Sequence, residues 1–269
     1  MRRALIVVAG LVAVVTLATG CYALVDLLAL EHHGRTYELD PTGTVDLDVD
    51  GGGTVRVVGD GGTAVRVETR WREGISAPSI SVRRVGDRIV VRTRCPQFMN
   101  LVCQVSATVH VPQGTLVTGG GASPIQVVDV AGRVDLSSDD GSIRVEGARG
   151  SVRAATSNGS VSVADSEGTF SLSSDNGAIE TRAVRASTLV ASTSNGSISL
   201  DLAAAPESVV ARSDNGSITV LVPDEEGVAY ATATSTSNGG VDELIRTDPT
   251  AERRIEARSS NGGISLRYR

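Results

Sequence analysis

Lysine is absent from this sequence of 269 residues, so all 25 of its basic side chains are arginines. The arginines and the 31 acidic residues are interspersed along the chain and leave a net charge of −6. Nucleic-acid binding requires a basic stripe or patch that neutralises phosphates. The charge pattern therefore excludes a nucleic-acid-binding protein.

Aromatic residues are also scarce: they make up 3% of the chain, with two phenylalanines and one tryptophan. Hydrophobic residues still reach 41%, so the chain can bury a sizeable core, but this core must be aliphatic. A stack of repeats suits such a composition, because each layer only has to fill a narrow slot against a similar neighbour.

The residue types that enzymes use are equally few. The three histidines are the adjacent His32 and His33 and the isolated His110, and no lysine can act as a base or form a Schiff base. Asp139 and Asp140 resemble the paired acids of polysaccharide-cleaving β-helices, but turn residues fill the same position in other repeats. We therefore predict that the protein is not an enzyme and has no cofactor.

A calcium-binding face is the metal site that the acidic residues near the turns suggest. Asp139, Asp140, Asp175 and Asp214 would line up if the turns were aligned. The glycine-rich calcium nonapeptide is absent, however, and serine replaces aspartate in several repeats. We therefore predict a solvated turn face and no metal site.

The longest uncharged run lies at the N-terminus, from Ala4 to Val25, and follows Arg2 and Arg3. As a helix it would be about 33 Å long, enough to cross the hydrocarbon core of a bilayer. Arginines before the run and acids after it predict that the N-terminus is cytoplasmic and that the rest of the chain lies outside. We predict a single-pass anchor over residues 1–30 that contacts the membrane through residues 4–30.

Two processed forms of this segment are alternatives to an uncleaved anchor. Residues 17–21 resemble a bacterial lipoprotein cleavage box, in which Cys21 would become the lipid-bearing first residue. A cleaved secretory signal peptide is the other alternative. Residues 22–30 remain mostly apolar, which favours the uncleaved anchor. With either the helix or the lipid anchor, the protein sits at the cytoplasmic membrane with its C-terminal domain outside the cytoplasm.

An internal repeat is the strongest pattern in the chain. The tetrad Ser/Thr, Ser/Asp, Asn/Asp, Gly occurs seven times at spacings of 18 to 23 residues. A β-branched aliphatic residue stands two positions after each glycine, and two mostly apolar columns precede each tetrad. In six copies the tetrad ends in Asn-Gly, at Asn158 and Gly159, Asn176 and Gly177, Asn195 and Gly196, Asn215 and Gly216, Asn238 and Gly239, and Asn261 and Gly262.

Each repeat therefore contains two short strands with one apolar face. Such short strands cannot bury that face alone, so they must stack on the equivalent strands of neighbouring repeats. The predicted fold is all-β: a parallel β-helix, or β-solenoid, of about seven to nine rungs with an N-terminal β cap. Its handedness is left open. Antiparallel hairpins with Asn-Gly turns are the alternative, but they do not explain the constant repeat.

The Asn-Gly turns carry two further predictions. Asparagine tolerates a positive φ and glycine adopts it freely, so this step is expected to supply the left-handed backbone of a tight turn. Aligned turns would place the asparagines in one ladder at roughly 4.8 Å spacing, with their amides hydrogen-bonded along the stack.

The remaining organisation follows from where the repeat begins and ends. Residues 43–114 alternate like strands but lack the regular period, and they are predicted to cap the solenoid of residues 115–269, because an open rung exposes strand edges. Residues 31–42 are predicted to be a linker. At the other end the last repeat runs to Arg269, and residues 267–269 are predicted to blunt the exposed edge.

Cys95 and Cys103 remain as a pair once Cys21 is assigned to the membrane. Thiols oxidise outside the cytoplasm, so we predict a disulfide between Cys95 and Cys103. Residues 96–102 between them are largely apolar, and this loop is predicted either to pack against the cap or to dock a partner.

Together these segments resemble a known family. The stretch from Arg94 to Cys103, a following strand that ends at Pro112, and the serial Ser-Asn-Gly-x-Ile/Val repeats are similar to bacterial β-strand repeat proteins of unknown function labelled putative adhesins. The resemblance covers about residues 43–269 and extends to the lysine-poor, membrane-anchored actinobacterial members. It implies a β-solenoid on the outer side of the cytoplasmic membrane and no catalytic residues. The last two repeats depart from it by inserts at 223–230 and 242–254, which are predicted to be lateral loops.

Two functions remain as hypotheses. The first is a binding or adhesion-like module, in which a rigid rod with a regular polar face binds cell-wall polymer or an envelope protein. The second is a structural or sensory ectodomain that acts with another envelope protein. Solenoid faces bind by shape and sparse polar contacts, so the sequence specifies neither the ligand nor the oligomeric state.

Overall fold

The computed structural model describes four stretches of the chain, residues 31–50, 52–73, 77–95 and 103–269. All regular elements within them are β-strands, which confirms the predicted all-β class. None of the residues described forms a helix that is long and apolar enough to span a bilayer. The predicted anchor with Cys21, and the loop 96–102, lie outside the described residues.

Most of the strands are short, and within the repeats they are separated by tight corners. In chain order they are β1 (Glu31–Leu39), β2 (Thr44–Asp50), β3 (Val55–Asp60), β4 (Val65–Glu73), β5 (Ser79–Val85), β6 (Arg88–Arg94), β7 (Gln104–Pro112), β8 (Leu116–Gly121), β9 (Ile125–Val128), β10 (Val134–Ser138), β11 (Ile143–Glu146), β12 (Arg149–Thr156), β13 (Val161–Ala164), β14 (Glu167–Ser174), β15 (Ile179–Thr193), β16 (Ile198–Leu202), β17 (Ser208–Ser213), β18 (Ile218–Val222), β19 (Ala231–Thr236), β20 (Val241–Leu244), β21 (Arg254–Ser259) and β22 (Ile264–Tyr268).

Most strands pair in parallel with the equivalent strands of neighbouring repeats and form two sheets, here called sheet A and sheet B. One strand of each sheet makes one layer of the coil, and β15 turns a corner and belongs to both sheets. Equivalent residues are in register: Val134 pairs with Val152 in sheet B, and Ile143 pairs with Val161 in sheet A. This parallel stacking confirms the predicted β-solenoid and excludes the hairpin alternative for the repeats.

The core lies between the two sheets. Inward and outward side chains alternate along most strands, and the inward ones are mainly buried valine, isoleucine, leucine and alanine. One inward column contains Val152, Phe170, Leu189, Val209 and Ile255, which are paired successively from layer to layer. Branched side chains fill each narrow layer against similar neighbours. The chain can therefore bury a core with few aromatic residues.

The layers do not follow one another in chain order. The described residues form ten layers, which in order along the stack are β6/β7, β2/β3, β8/β9, β10/β11, β12/β13, β14 with the first half of β15, the second half of β15 with β16, β17/β18, β21/β22 and β19/β20. The repeats predicted seven to nine rungs. The difference arises because strands outside the regular repeats also join the stack.

The region predicted as a cap, residues 43–114, is divided in the structure. β2/β3 and β6/β7 are full layers, and β2/β3 lies between β6/β7 and β8/β9. Three antiparallel strands cover the end of the stack: β4 pairs with β7, β1 pairs with β4, and β5 pairs with β6. Residues 31–42, predicted as a linker, thus contain the covering strand β1. Period-two alternation does not distinguish a stacked strand from a covering strand, because both have one buried face.

At the C-terminal end of the stack, two layers again differ from their order in the chain, as β2/β3 and β6/β7 do at the other end. β21/β22 is last in sequence but lies between β17/β18 and β19/β20. The prediction that residues 267–269 blunt the end is therefore wrong: Arg267 and Tyr268 belong to the inner strand β22, and Arg269 follows it. Arg269 there forms an ion pair with Asp201, with 2.7 Å between Nε and Oδ1. The prediction was wrong because it assumed that the stack follows the chain.

The long inserts of the last two repeats are the connections that this exchange requires. The chain leaves β18 at Val222, passes the position of one layer to reach β19, and later returns from β20 to β21. Tyr230 joins the two connections through backbone hydrogen bonds with Arg246 and Asp248. Its side chain is completely buried, and this burial raises the pKa of the phenol to about 12. The predicted lateral loops are therefore crossovers between layers.

Left-handed backbone occurs at the corner that follows the sheet A strands. Asp129, Asp165 and Ala183 have φ angles of 55°, 48° and 51°, and Gly147 at the same corner has 67°. Because Cβ crowds the carbonyl oxygen in this conformation, an alanine adopts it at a cost of about 1 kcal/mol or more. Ala183 is therefore a strained position, and it lies where the pairing of β15 with β16 shifts register.

Replacing Ala183 with glycine should stabilise the protein. Ala183→Gly removes the clash that accompanies a positive φ, and we expect the free energy of unfolding to rise by about 0.5 kcal/mol. The matched control is Ala155→Gly in β12, where the φ is not positive and glycine should lower the free energy of unfolding by roughly 0.5–1 kcal/mol. Urea denaturation measures both, and a loss of stability in both variants would contradict the assignment.

Candidate functional site

The predicted turn asparagines lie together on one exposed corner of the stack. Each side-chain amide donates a hydrogen bond to the side-chain oxygen of the neighbouring layer. The bonds run from Asn158 to Asp140 (2.8 Å), Asn176 to Asn158 (2.9 Å), Asn195 to Asn176 (2.8 Å), Asn215 to Asn195 (2.9 Å), Asn261 to Asn215 (2.8 Å) and Asn238 to Asn261 (2.8 Å). The ladder ends at a carboxylate, which can only accept, so all its amides point the same way.

The glycines beside these asparagines are needed for a reason other than the predicted one. Neither the repeat asparagines nor the repeat glycines have a positive φ, so the prediction of a left-handed Asn-Gly turn was wrong. Instead, the backbones of successive layers approach closely. A Cβ at Gly177 would lie 1.9 Å from the carbonyl oxygen of Gly159, and one at Gly216 would lie 2.0 Å from that of Gly196. No side chain fits between the layers at this column.

Buried hydroxyls support the same corner from inside. Ser174 accepts a hydrogen bond from the N–H of Gly177 (2.8 Å) and donates one to the carbonyl of Gly159 in the next layer (2.9 Å). The corresponding residues of other layers, which also donate to a carbonyl of the adjacent layer, are Ser138, Thr156, Thr193, Ser213 and Ser259. This role was missed from the sequence, although the restriction of the first tetrad position to Ser or Thr was its signal.

Removing one such hydroxyl should weaken the stack locally. Ser174→Ala leaves a buried N–H and a buried carbonyl without this partner, so we expect a loss of about 2 kcal/mol in the free energy of unfolding. Ser173→Ala, one residue earlier and facing outward, should change it by less than about 0.5 kcal/mol. Denaturant titration compares the two, and equal effects would mean that the inner hydroxyl column does not hold the layers together.

The outward face of sheet B carries a depression lined by hydroxyls. We call Ser151, Thr169, Ser171 and Thr188 the hydroxyl shelf; they line a shallow cavity of about 380 Å³ together with Arg133, Val152, Arg153, Phe170 and Val190. The shelf residues lie on the three successive strands β12, β14 and β15. Their short side chains leave space above a flat sheet, whereas longer side chains stand at its border.

Arginines supply the charge at the border of the shelf. Arg133 forms an ion pair with Asp135, with 2.9 Å between the guanidinium and the carboxylate. Arg153 pairs in register with Asp135 on one side and with Ser171 on the other, but within the described stretches no ion pair involves it. Its five N–H donors are thus available beside the hydroxyl shelf. The arrangement can hydrogen-bond a ligand that presents hydroxyl and anionic groups.

The acidic residues that suggested calcium are not brought together. Asp140 accepts from the ladder, while Asp139, Asp175 and Asp214 stand in layers separated by those of Ser157 and Ser194. Carboxylates two layers apart are about 9.6 Å from each other, too far to share an ion. Of the side chains that the structure describes, no three of the kinds that ligate metals cluster in a way that could hold one.

Cys95 and Cys103 form a disulfide in the structure, with 5.9 Å between their Cα atoms. The pair lies at the corner between β6 and β7, and the N–H of Cys95 donates to the carbonyl of Asp50 in the adjacent layer. This is the corner of the β6/β7 layer that corresponds to the asparagine corner of the repeats. The disulfide therefore closes a loop of the layer that the covering strands pack against.

Comparison with known proteins agrees with the fold described above. The family model described as Toastrack DUF4097 matches residues 108–267. Two similar crystal structures are those of a putative adhesin from Bacteroides fragilis (15% identity, TM-score 0.54) and of a putative adhesin from Parabacteroides distasonis (12% identity, TM-score 0.56). Each alignment covers 89% of this chain and 97% of the other. No curated protein matches the sequence.

Proposed function

Because this chain belongs to the Toastrack DUF4097 family, we propose that it is an adhesin-like binding module of the bacterial cell envelope whose ligand is an extended acidic polymer. Two solved structures of the same fold are described as putative adhesins, which supports a binding role. The observation that carries the proposal is the hydroxyl shelf with Arg153 beside it. Hydroxyls and a guanidinium are the groups that recognise sugars with carboxylates.

The shape of the shelf favours a polymer over a small molecule. Pockets for small ligands enclose most of the ligand surface, whereas the hydroxyl shelf is a shallow depression on a flat sheet. Successive strands repeat at about 4.8 Å, so similar polar groups recur along the stack axis. An extended chain lying across several layers would contact many of them at once, while each contact remains weak.

The proposed location is the outer side of the cytoplasmic membrane, with residues 4–30 as a spanning anchor. Support comes from the uncharged run after Arg2 and Arg3 and from the disulfide between Cys95 and Cys103, because disulfides persist in oxidising compartments. Lipid attachment at Cys21 is the alternative form of the anchor. The covering strand β1 begins at Glu31, directly after the proposed spanning segment, so we expect the covered end of the stack to face the membrane.

Binding to a uronic acid polymer tests this function. Polygalacturonic acid should bind the full chain, and Arg153→Ser should weaken that binding by roughly tenfold, because a hydrogen bond to a charged group contributes about 1.5–3 kcal/mol. The matched control is Arg144→Ser on sheet A, which removes an exposed arginine far from the shelf and should leave binding unchanged. Isothermal titration calorimetry measures the binding of polygalacturonic acid to the original chain and to both variants. Neutral dextran serves as a second, uncharged ligand.

Two results would contradict the proposal. One is equal binding of polygalacturonic acid and dextran, which would make the arginine irrelevant. The other is an equal loss for Arg153→Ser and Arg144→Ser, which would indicate unspecific attraction of an acidic polymer to surface arginines. If neither polymer binds and the protein instead co-purifies with one membrane protein in an amount independent of Arg153, the alternative of a structural or sensory ectodomain is favoured.

A further inference from the structure

The terminal layer β19/β20 differs from the inner layers at its inward positions. Thr232 and Thr234 pair in register with Ile255 and Ala257 of the layer below, and Glu243 pairs with Leu266. In the three layers directly below, these columns hold buried aliphatic residues. At the end of the stack they hold two hydroxyls and a carboxylate.

These polar side chains contact each other across the end of the core. The Thr232 hydroxyl donates to one carboxylate oxygen of Glu243 (3.0 Å), and the Thr234 hydroxyl donates to the other. The threonines come from sheet B and the glutamate from sheet A. We call these three residues the end bridge, because they join the two sheets over the last apolar layer.

The strands of this layer are otherwise suited to further pairing. Among the described strands, β19 pairs only with β21 and β20 only with β22, so within this part of the chain one edge of each strand carries unpaired backbone groups. Val241 and Leu244 in β20 are 42% and 63% exposed. Exposed edges with apolar side chains are templates for association, and an inward-pointing charge is one way in which natural sheets prevent it.

We propose that the end bridge closes this end of the solenoid against a second copy of the same chain. At the opposite end the antiparallel strands β1, β4 and β5 cover the stack, so β19/β20 is the end at which a parallel layer of the coil itself is outermost. Two copies would meet there about a two-fold axis. Both Glu243 carboxylates would then be buried in one interface without a cation, which is strongly unfavourable.

The same residues account for the order of the layers. If β19/β20 stacked directly on β17/β18 and β21/β22 came last, as in the sequence, Glu243 would be buried between Val220 and Leu266. The end would then expose Ile255, Ala257 and Leu266 instead. Placing the polar layer outermost buries the apolar one, and the crossovers give the chain the length to do so.

The proposal is tested by sedimentation velocity in detergent, which compares the self-association of the full chain with that of its Glu243→Leu variant. This variant restores an apolar inward column, and we expect its dimer dissociation constant to fall at least tenfold below that of the original chain. Asp242→Leu is the matched control: it removes the same charge and adds the same side chain one residue earlier, facing outward. It should leave the association unchanged.

Hydrogen exchange on the same samples locates the contact. Dimerisation through the proposed end should protect amides in β19 and β20, while protection of the inner layers shows that the variant is folded. The proposal is overturned if folded Glu243→Leu associates no more than the original chain, if Asp242→Leu associates equally, or if protection appears elsewhere. None of these outcomes depends on whether the hydroxyl shelf binds a polymer.

Discussion

Every inner strand of the stack shares its backbone hydrogen bonds with the layers above and below, so each position meets the same position of its neighbours at about 4.8 Å. This constraint decides which side chains each column accepts. Inward columns hold branched aliphatics, because these fill a layer without reaching into the next. The glycine column holds no side chain, because a Cβ would lie within 2.3 Å of a carbonyl oxygen of the next layer at each repeat glycine from Gly159 to Gly262.

The corner hydroxyls and the asparagine ladder follow from the same constraint. Ser174 and its counterparts satisfy backbone groups that the tight corner cannot pair with a strand, and buried backbone groups left unpaired are costly. The ladder outside them adds one amide bond for each layer. The corner is therefore rigid, and it fixes the spacing at which the neighbouring hydroxyl shelf presents its groups on sheet B.

Stacking in register does not determine the order of the layers. At the C-terminal end, the polar inward side chains of one layer determine it. The end bridge places β19/β20 outermost although β21/β22 is later in the chain. At the other end β2/β3 lies inside β6/β7, and antiparallel strands cover the last layer. Chain order thus describes the middle of the stack but neither of its ends.

Much of this could be predicted from the sequence. The period of about 20 residues and the alternation around Ile198 or Val209 correctly predicted a parallel β-solenoid with one aliphatic core. The prediction of a left-handed turn at Asn-Gly was wrong, because glycine can serve close packing as well as a positive φ, and the sequence alone does not distinguish the two uses. Layer order could not be predicted, since every repeat matches every other; the polar Thr232, Thr234 and Glu243 were its only local signal. The hydroxyl shelf has no motif, because it arises from short side chains on different layers.

Disulfide cross-linking tests the central claim, that packing and not chain order sets the sequence of layers. Ser208 pairs in register with Arg254, at about 5 Å between parallel strands, whereas Ala231 lies one layer further away, beyond the roughly 7 Å limit for a disulfide. Under mild oxidation, Ser208→Cys with Arg254→Cys should form the cross-link, and Ser208→Cys with Ala231→Cys should not, as mapped by mass spectrometry. Efficient cross-linking of residue 208 to residue 231, with little to residue 254, would mean that the layers follow the chain and would contradict this account.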